Sequence, residues 1–339
     1  MLFDSCQPDD WIGAQGGSIG SETPNCFELG TGDGLAVSLV ERGAAICKVL
    51  VPGRRGPVSV VLGYSQASAY TSDPYYLGAT VGRFAGRIDR GRFVLDGNVH
   101  ALARGGTGGM HCLHGGSQGF HSRLWTLTAL DRARAATFRY VSPAGEQGFP
   151  GRLEVEARYE LLDECRLMIE YRALADAPTV VNLSNHAYFN LSGCSGPIDG
   201  HRVKINADRY TPLDPHDIPT GEMLPVEGTR FDLRVERTLG SEAFDQNFVL
   251  NKERAGLEFA ASVAAPAAGI RLNLYTTQPG LQLYTGDQLA SPFRFRAGLC
   301  LEAQHFPDSP NQAGFPSCRL NPGEHYCQQT LLEFEPESD

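Results

Sequence analysis

A chain of 339 residues, 42% hydrophobic and 20% charged, carries enough apolar mass for a large core and lacks the low-hydrophobicity, high-charge signature of disorder. Its formal net charge of -10 argues against nucleic acid or an anionic membrane surface as partner, since both need a concentrated basic face. Nine cysteines, odd in number and never spaced C-x-x-C, read as free, mostly buried thiols of a reducing compartment. The N-terminus has no basic n-region and no apolar h-region, and no run reaches the length of a membrane span. The expectation is a soluble cytoplasmic protein.

Residues 1–24 are rich in Gly, Ser, Asp and Pro, hold a lone Trp11 and show no periodicity, which marks an N-terminal extension. From Phe27 onward short apolar runs alternate with turn signals, so residues 25–339 are expected to form a single domain. Two such runs lie within 35–51, broken at Glu41-Arg42-Gly43, and a third spans 58–62. Asp96-Gly97, between apolar runs on either side, is the strongest hairpin signal in the chain. Residues 125–130 are expected to pair with 136–141. Farther on, Leu153, Val155, Ala157, Tyr159 and Leu161 alternate with charged residues, the pattern of a half-buried strand, and Leu167, Ile169 and Tyr171 supply its partner. Amphipathic helices are not evident, and 39 Gly and 21 Pro punctuate the chain too often for long ones. The fold class is all-β, a sandwich of large antiparallel sheets with few short helices.

Four stretches place polar groups inside apolar strand patterns. In 81–90, Arg83, Arg87 and Arg90 suit bidentate contacts to hydroxyls or carboxylates, or equally a solvated strand edge. In 110–121, the glycines after His114 let backbone approach whatever that ring touches, although a Gly-rich surface loop competes. His111, His114 and His121 lack a partnered carboxylate or second cysteine at a known metal spacing, so no metal is expected. In 182–191, Asn-Leu-Ser-Asn-His-Ala-Tyr-Phe-Asn-Leu, strand alternation would sort Val181, Leu183, Ala187, Phe189 and Leu191 onto one face, with Asn185 its only polar member. Asn182, Ser184, His186, Tyr188 and Asn190 would fall on the other face. Those groups are costly to bury unpaired, so they form either a polar core network or a cavity for a polar ligand. In 299–308, Glu302 and Gln304 share a strand face where desolvation would raise a carboxyl pKa, as suits a general base; a salt-bridged surface Glu is as good an account. Gly30-Thr-Gly-Asp-Gly34 is a turn rather than a dinucleotide fingerprint, and no Walker A motif or nucleophile elbow occurs.

A His and a Glu on separate polar-faced strands, joined by amides, Arg and aromatics, fit acid/base chemistry on a neutral polyhydroxyl compound. The residues Gly82-Arg-Phe-Ala-Gly-Arg-Ile88, Leu113-His-Gly-Gly116, the 182–191 stretch, Phe244-Asp-Gln-Asn-Phe248, Thr276-Thr-Gln-Pro-Gly-Leu-Gln-Leu-Tyr-Thr-Gly286 and Leu301-Glu-Ala-Gln-His-Phe-Pro-Asp308 follow one another in order. With them the chain resembles the aldose 1-epimerase (galactose mutarotase) family from about Phe27 to about Phe334. The resemblance implies a β-supersandwich whose concave face binds an aldohexose such as galactose or glucose, with no cofactor. It implies Glu302 as general base at the C1 hydroxyl, His186 as general acid at the ring oxygen, and His114 assisting both. Arg87, Asp245 and Gln282 would hold the remaining hydroxyls, with Tyr188 and Asn185 completing the sugar contacts.

The chain departs from the family pattern at Gly86, where many members carry Asn, and at Gln246, where many carry His. The first change removes an amide beside Arg87, and both bear on preference among sugar epimers. Two other functions remain open: an epimerase-fold protein acting on a phosphorylated hexose, which needs a basic pocket rim, and a non-catalytic sugar-binding protein, which needs no matched acid and base. A small-molecule sugar is the expected partner of a monomer or homodimer.

Overall fold

The computed structural model describes residues 23–336, apart from 31, 33, 55 and 107. The extension through residue 22, with Trp11, lies outside the described residues. Strands dominate, and among the described residues helix is confined to 3-10 turns such as Ala67–Ser72 and Phe120–Ser122. Among the described residues no helix is long and apolar enough to cross a membrane.

The larger sheet has nine antiparallel strands in the order Thr126–Asp131, Ala135–Ser142, Leu153–Leu161, Arg166–Ala175, Tyr326–Pro336, Ile270–Thr276, Glu258–Ala265, Arg202–Ile205 and Arg237–Thr238. The alternation expected at 153–161 is there: every second residue from Leu153 to Leu161 is buried, and the outward residues are charged. Register sets Glu156 opposite Arg172 and Arg158 opposite Glu170, so the outer face pairs unlike charges across strands. The hairpin at Asp96-Gly97 joins Arg92–Leu95 to Asn98–Ala101. A four-stranded sheet runs through Cys26–Leu29, Ala36–Val40, Ala45–Val51 and Val58–Ser59.

The six-stranded sheet positions the polar groups. Its order is Tyr188–Phe189, Leu299–Gln304, Gly280–Tyr284, Asp245–Val249, Arg209–Tyr210 and Leu224–Pro225. One face sends Leu281, Leu283, Leu299, Leu301, Ala303 and Phe248 into a core shared with Ile169, Tyr171, Leu274 and Leu332 of the nine-stranded sheet. By alternation the other face carries Cys300, Glu302, Gln304, Gln282, Tyr284, Asp245 and Asn247. Leu299–Gln304 is buried along its whole length, so this polar face is covered rather than solvated.

Two expectations are corrected. The 182–191 stretch is not one strand: the chain from 179 breaks into Thr179–Val180, Ser184–Asn185 and Tyr188–Phe189, each paired to a different partner. The cause lies in its amides, which bond backbone. Asn182 donates to the carbonyls of Ala85 and His305, Ser184 to that of Ala303, and Asn190 to those of Gly196 and Ala297. The thiol expectation also changes. Among the described residues seven cysteines are free, of which Cys112, Cys300 and Cys318 alone are buried, whereas Cys327 is disulfide-bonded. An odd count of cysteines forbids only that all nine pair within the chain, not that two of them do.

Candidate active site

Register brings the site together strand by strand. Gln282 lies directly opposite Glu302 on one side and Asn247 on the other, and Tyr284 sits between Cys300 and Asp245 in the next row. The short Tyr188–Phe189 strand pairs with the start of Leu299–Gln304, which sets His186 beside that row. Cys300 Sγ is 3.5 Å from His186 Nδ1, and His186 Nε2 is 3.8 Å from Glu302 Oε1.

Two loops roof this face. Arg87–Ile88 pairs with Cys112–Leu113, which puts His114 over the sheet. The next residue has to be glycine, because Gly115 has a φ of +83° and a Cβ there would stand 1.9 Å from the carbonyl oxygen of Gly82. Gly86 N–H donates to His114 Nδ1 at 3.2 Å. With Nδ1 accepting, a neutral His114 carries its proton on Nε2, as a donor. Tyr76 packs its ring against His114, His121 and His186, with centroids 4.8, 4.6 and 5.6 Å apart.

The resulting cleft holds about 630 Å³ of space, open solvent included. Arg87, His114, His186, Tyr188, Asp245, Gln282 and Glu302 all line it. Seven of the eight residues expected from sequence are therefore brought together. Asn185 is the exception: its amide donates to the Gly78 carbonyl and accepts the Ala187 N–H, and it borders a small cavity on the core side with Ile169, Phe189 and Leu301. Its place among the apolar residues in the alternation already pointed inward. Gln246 likewise faces away, donating from Nε2 to the Thr211 carbonyl, so it does not touch the cleft where it was expected to bear on sugar preference.

Tyr75, Tyr76, Tyr284, Gly86, Gln304 and Pro307 also line the cleft and were not singled out as sugar contacts. The aromatic pair in Asp73-Pro-Tyr-Tyr76 and the strand face shared by Gln304 and Glu302 were the available signals. Among the arginines, Arg83 is buried behind the roof on the carbonyls of Pro150 and Gly151 and on Ser142, while Arg90 is largely exposed. Arg87 alone of the three reaches the cleft, where it faces Asp245 at 3.4 Å and Asp217 at 3.5 Å.

Burial governs the titrating groups. Desolvation pushes Glu302 up to about 8, with the nearby Asp245 charge adding to it and Arg87 opposing. Desolvation holds His186 down at about 4, against smaller raising effects of its own backbone and Asp245. His114 is held well below the usual imidazole range by burial and then by the neighbouring His186 and His121. At neutral pH both rings are uncharged and Glu302 keeps its proton. Ligand atoms of His114, His186 and Glu302 lie within 4.8 Å of one another, close enough to surround a small cation. The proton on His114 Nε2 makes that ring a donor rather than a ligand.

The cleft floor is short of hydrogen bonds. Gln282 Nε2 donates to Asp245 Oδ1 at 2.7 Å, but Gln282 Oε1, Glu302 Oε2 and both amide atoms of Gln304 are buried without partners among the described residues. Leaving such groups unpaired is costly, so the arrangement favours a ligand rich in hydroxyl donors.

A family model described as aldose 1-epimerase matches residues 25–333. The chain is 43% identical over 332 residues to a protein named galactose mutarotase from Mus musculus, covering 93% of this chain and 95% of that one. It is 35% identical to the aldose 1-epimerase of Escherichia coli (strain K12), covering 89% and 92%. Among solved structures, an aldose epimerase homologue from C. elegans aligns with a TM-score of 0.88 at 28% identity, over 93% of this chain and 100% of that one. The galactose 1-epimerase of Lactobacillus acidophilus NCFM aligns at 0.79, also with 28% identity, over 92% and 94%.

Proposed function

The chain belongs to the aldose 1-epimerase family, and from that premise we propose that its cleft opens and recloses the ring of galactose, glucose or a closely related aldohexose. The protein is an isomerase, a mutarotase that interconverts α and β anomers. The observation that carries the site assignment is a buried carboxyl and a buried imidazole 3.8 Å apart, facing a floor of unpaired hydrogen-bonding groups.

In the proposed mechanism the Glu302 carboxylate removes the C1 hydroxyl proton. The oxygen's electrons form the carbonyl as the bond from C1 to the ring oxygen breaks, and protonated His186 delivers its proton to that ring oxygen. Rotation about C1–C2 then presents the other carbonyl face. Closure runs the transfers backwards: His186 takes the hydroxyl proton and Glu302 returns one to the carbonyl oxygen. The His114 Nε2–H donates toward the same oxygens, while Arg87, Asp245 and Gln282 hold ring hydroxyls and Tyr188 bounds the cleft.

A phosphorylated hexose fits less well. Arg83 is spent on carbonyls, Arg90 points to solvent, and Arg87 already faces two carboxylates. A binding protein without catalysis would gain nothing from a matched acid and base.

The test is polarimetry of freshly dissolved α-glucose and α-galactose with the wild type, Glu302→Gln and His186→Ala. The wild type is expected to accelerate anomer exchange, and either substitution to lower kcat by about 10²–10⁴-fold. Full activity in Glu302→Gln would remove that residue from the mechanism.

A further inference from the structure

Gln304 is fully buried and lines the cleft, yet neither its amide oxygen nor its nitrogen has a hydrogen-bond partner among the described residues. Asn247, Gln278 and Gln282 of the same motifs each leave only the amide oxygen buried without a partner among the described residues, whereas Gln304 leaves both amide atoms so. The Gln304 amide extends toward Gly86. A Cβ on Gly86 would lie 3.3 Å from Gln304 Nε2 and 3.2 Å from Pro307 Cγ, so the missing side chain is what leaves the amide its present position.

Position along one strand gives that amide a role. Cys300, which contacts His186, comes first; Glu302 follows on the same face; Gln304 comes next, each step about 6.6 Å along the strand. If His186 serves the ring oxygen and Glu302 the C1 hydroxyl, continuing in the same direction passes from the ring oxygen through C1 to C2. We propose that Gln304 is a specificity-determining residue that binds the C2 hydroxyl of the aldose, its amide donating to and accepting from that one group. This rests on the mutarotase assignment of Glu302 and His186. It makes the configuration at C2 the feature this chain selects for, and leaves the proton transfers to other residues.

The experiment compares initial rates of anomer exchange over the spontaneous rate for glucose, 2-deoxyglucose and 3-deoxyglucose, with the wild type and Gln304→Leu. For the wild type, kcat/KM should fall about tenfold to a hundredfold from glucose to 2-deoxyglucose, because the amide is then left unpaired. Gln304→Leu should lose a similar factor on glucose and stay within about twofold of wild type on 2-deoxyglucose, with no change in the pH profile. Equal losses of the variant on glucose and 2-deoxyglucose would mark a merely structural role and overturn the proposal. So would a wild type that handles 2-deoxyglucose as well as glucose, a comparison that needs no variant to fold. A wild type that accelerates none of the sugars would instead overturn the mutarotase assignment beneath it.

Discussion

Between about pH 4 and pH 8, Glu302 and His186 together hold one proton, and in the empty cleft it resides on the carboxyl. That is the distribution ring closure needs, whereas ring opening needs the proton on the imidazole. The two states are related by one transfer over 3.8 Å, so the titration belongs to the pair rather than to either residue. Below about 4 the pair gains a second proton and no base remains. Above about 8 it loses its last proton and no acid remains. The free-enzyme profile of kcat/KM should therefore be a plateau with limbs near these values, checked by polarimetry across buffers of matched ionic strength. Activity that persists undiminished at pH 10 would contradict the assignment of this pair.

At the level of single elements, the strand Leu299–Gln304 shows what alternation reveals and what it hides. Its apolar members could be assigned to the core from sequence because the period of two is unbroken. The same period in 182–191 sorted the side chains correctly, yet it suggested a continuous strand and could not separate His186 and Tyr188, which reach the cleft, from three neighbours bonded to backbone. Which acceptor an amide finds is decided by chain brought from elsewhere, such as the His305 and Ala297 carbonyls, and no local pattern contains it. The roof loop was legible only as a glycine cluster. Gly115→Ala should cost more than about 2 kcal/mol, combining positive φ with a backbone clash, and should displace His114. Gly145, with a similar φ of +82° and nothing within 4 Å of its would-be Cβ, is the control: Gly145→Ala should cost about 1 kcal/mol and leave activity intact. Urea midpoints and mutarotation rates separate the two.

For the whole molecule, the sheets bring His114, His186 and Glu302 together from distant parts of the chain, a distance that spacing in sequence could not report. The cost of that assembly falls on buried and half-buried neutral imidazoles. His121, His186, His201 and His305 are each held near 4, chiefly by desolvation, against an unfolded value of about 6.5. Their folded values are depressed, so the unfolded chain takes up protons first as pH falls, and stability is lost between about 6.5 and about 4. Glu302 acts in the opposite sense, its raised value removing stability as pH climbs from about 4.5 toward about 8. The unfolding free energy from urea titration should thus drop steeply from pH 6.5 to pH 4, by about several kcal/mol, and more gently on the alkaline side. A midpoint unchanged at pH 4.5 would show that these rings are hydrated in solution.

The unpaired floor of the cleft has a practical corollary. A surface that waits for hydroxyl donors does not require those donors to sit on a ring, so glycerol, Tris and other small polyols should occupy it weakly and compete with sugar. Assays run in glycerol stocks or Tris buffer would then report a KM inflated in proportion to the additive, and kcat unchanged. Phosphate-buffered, polyol-free solutions are the reference against which such inflation would be seen.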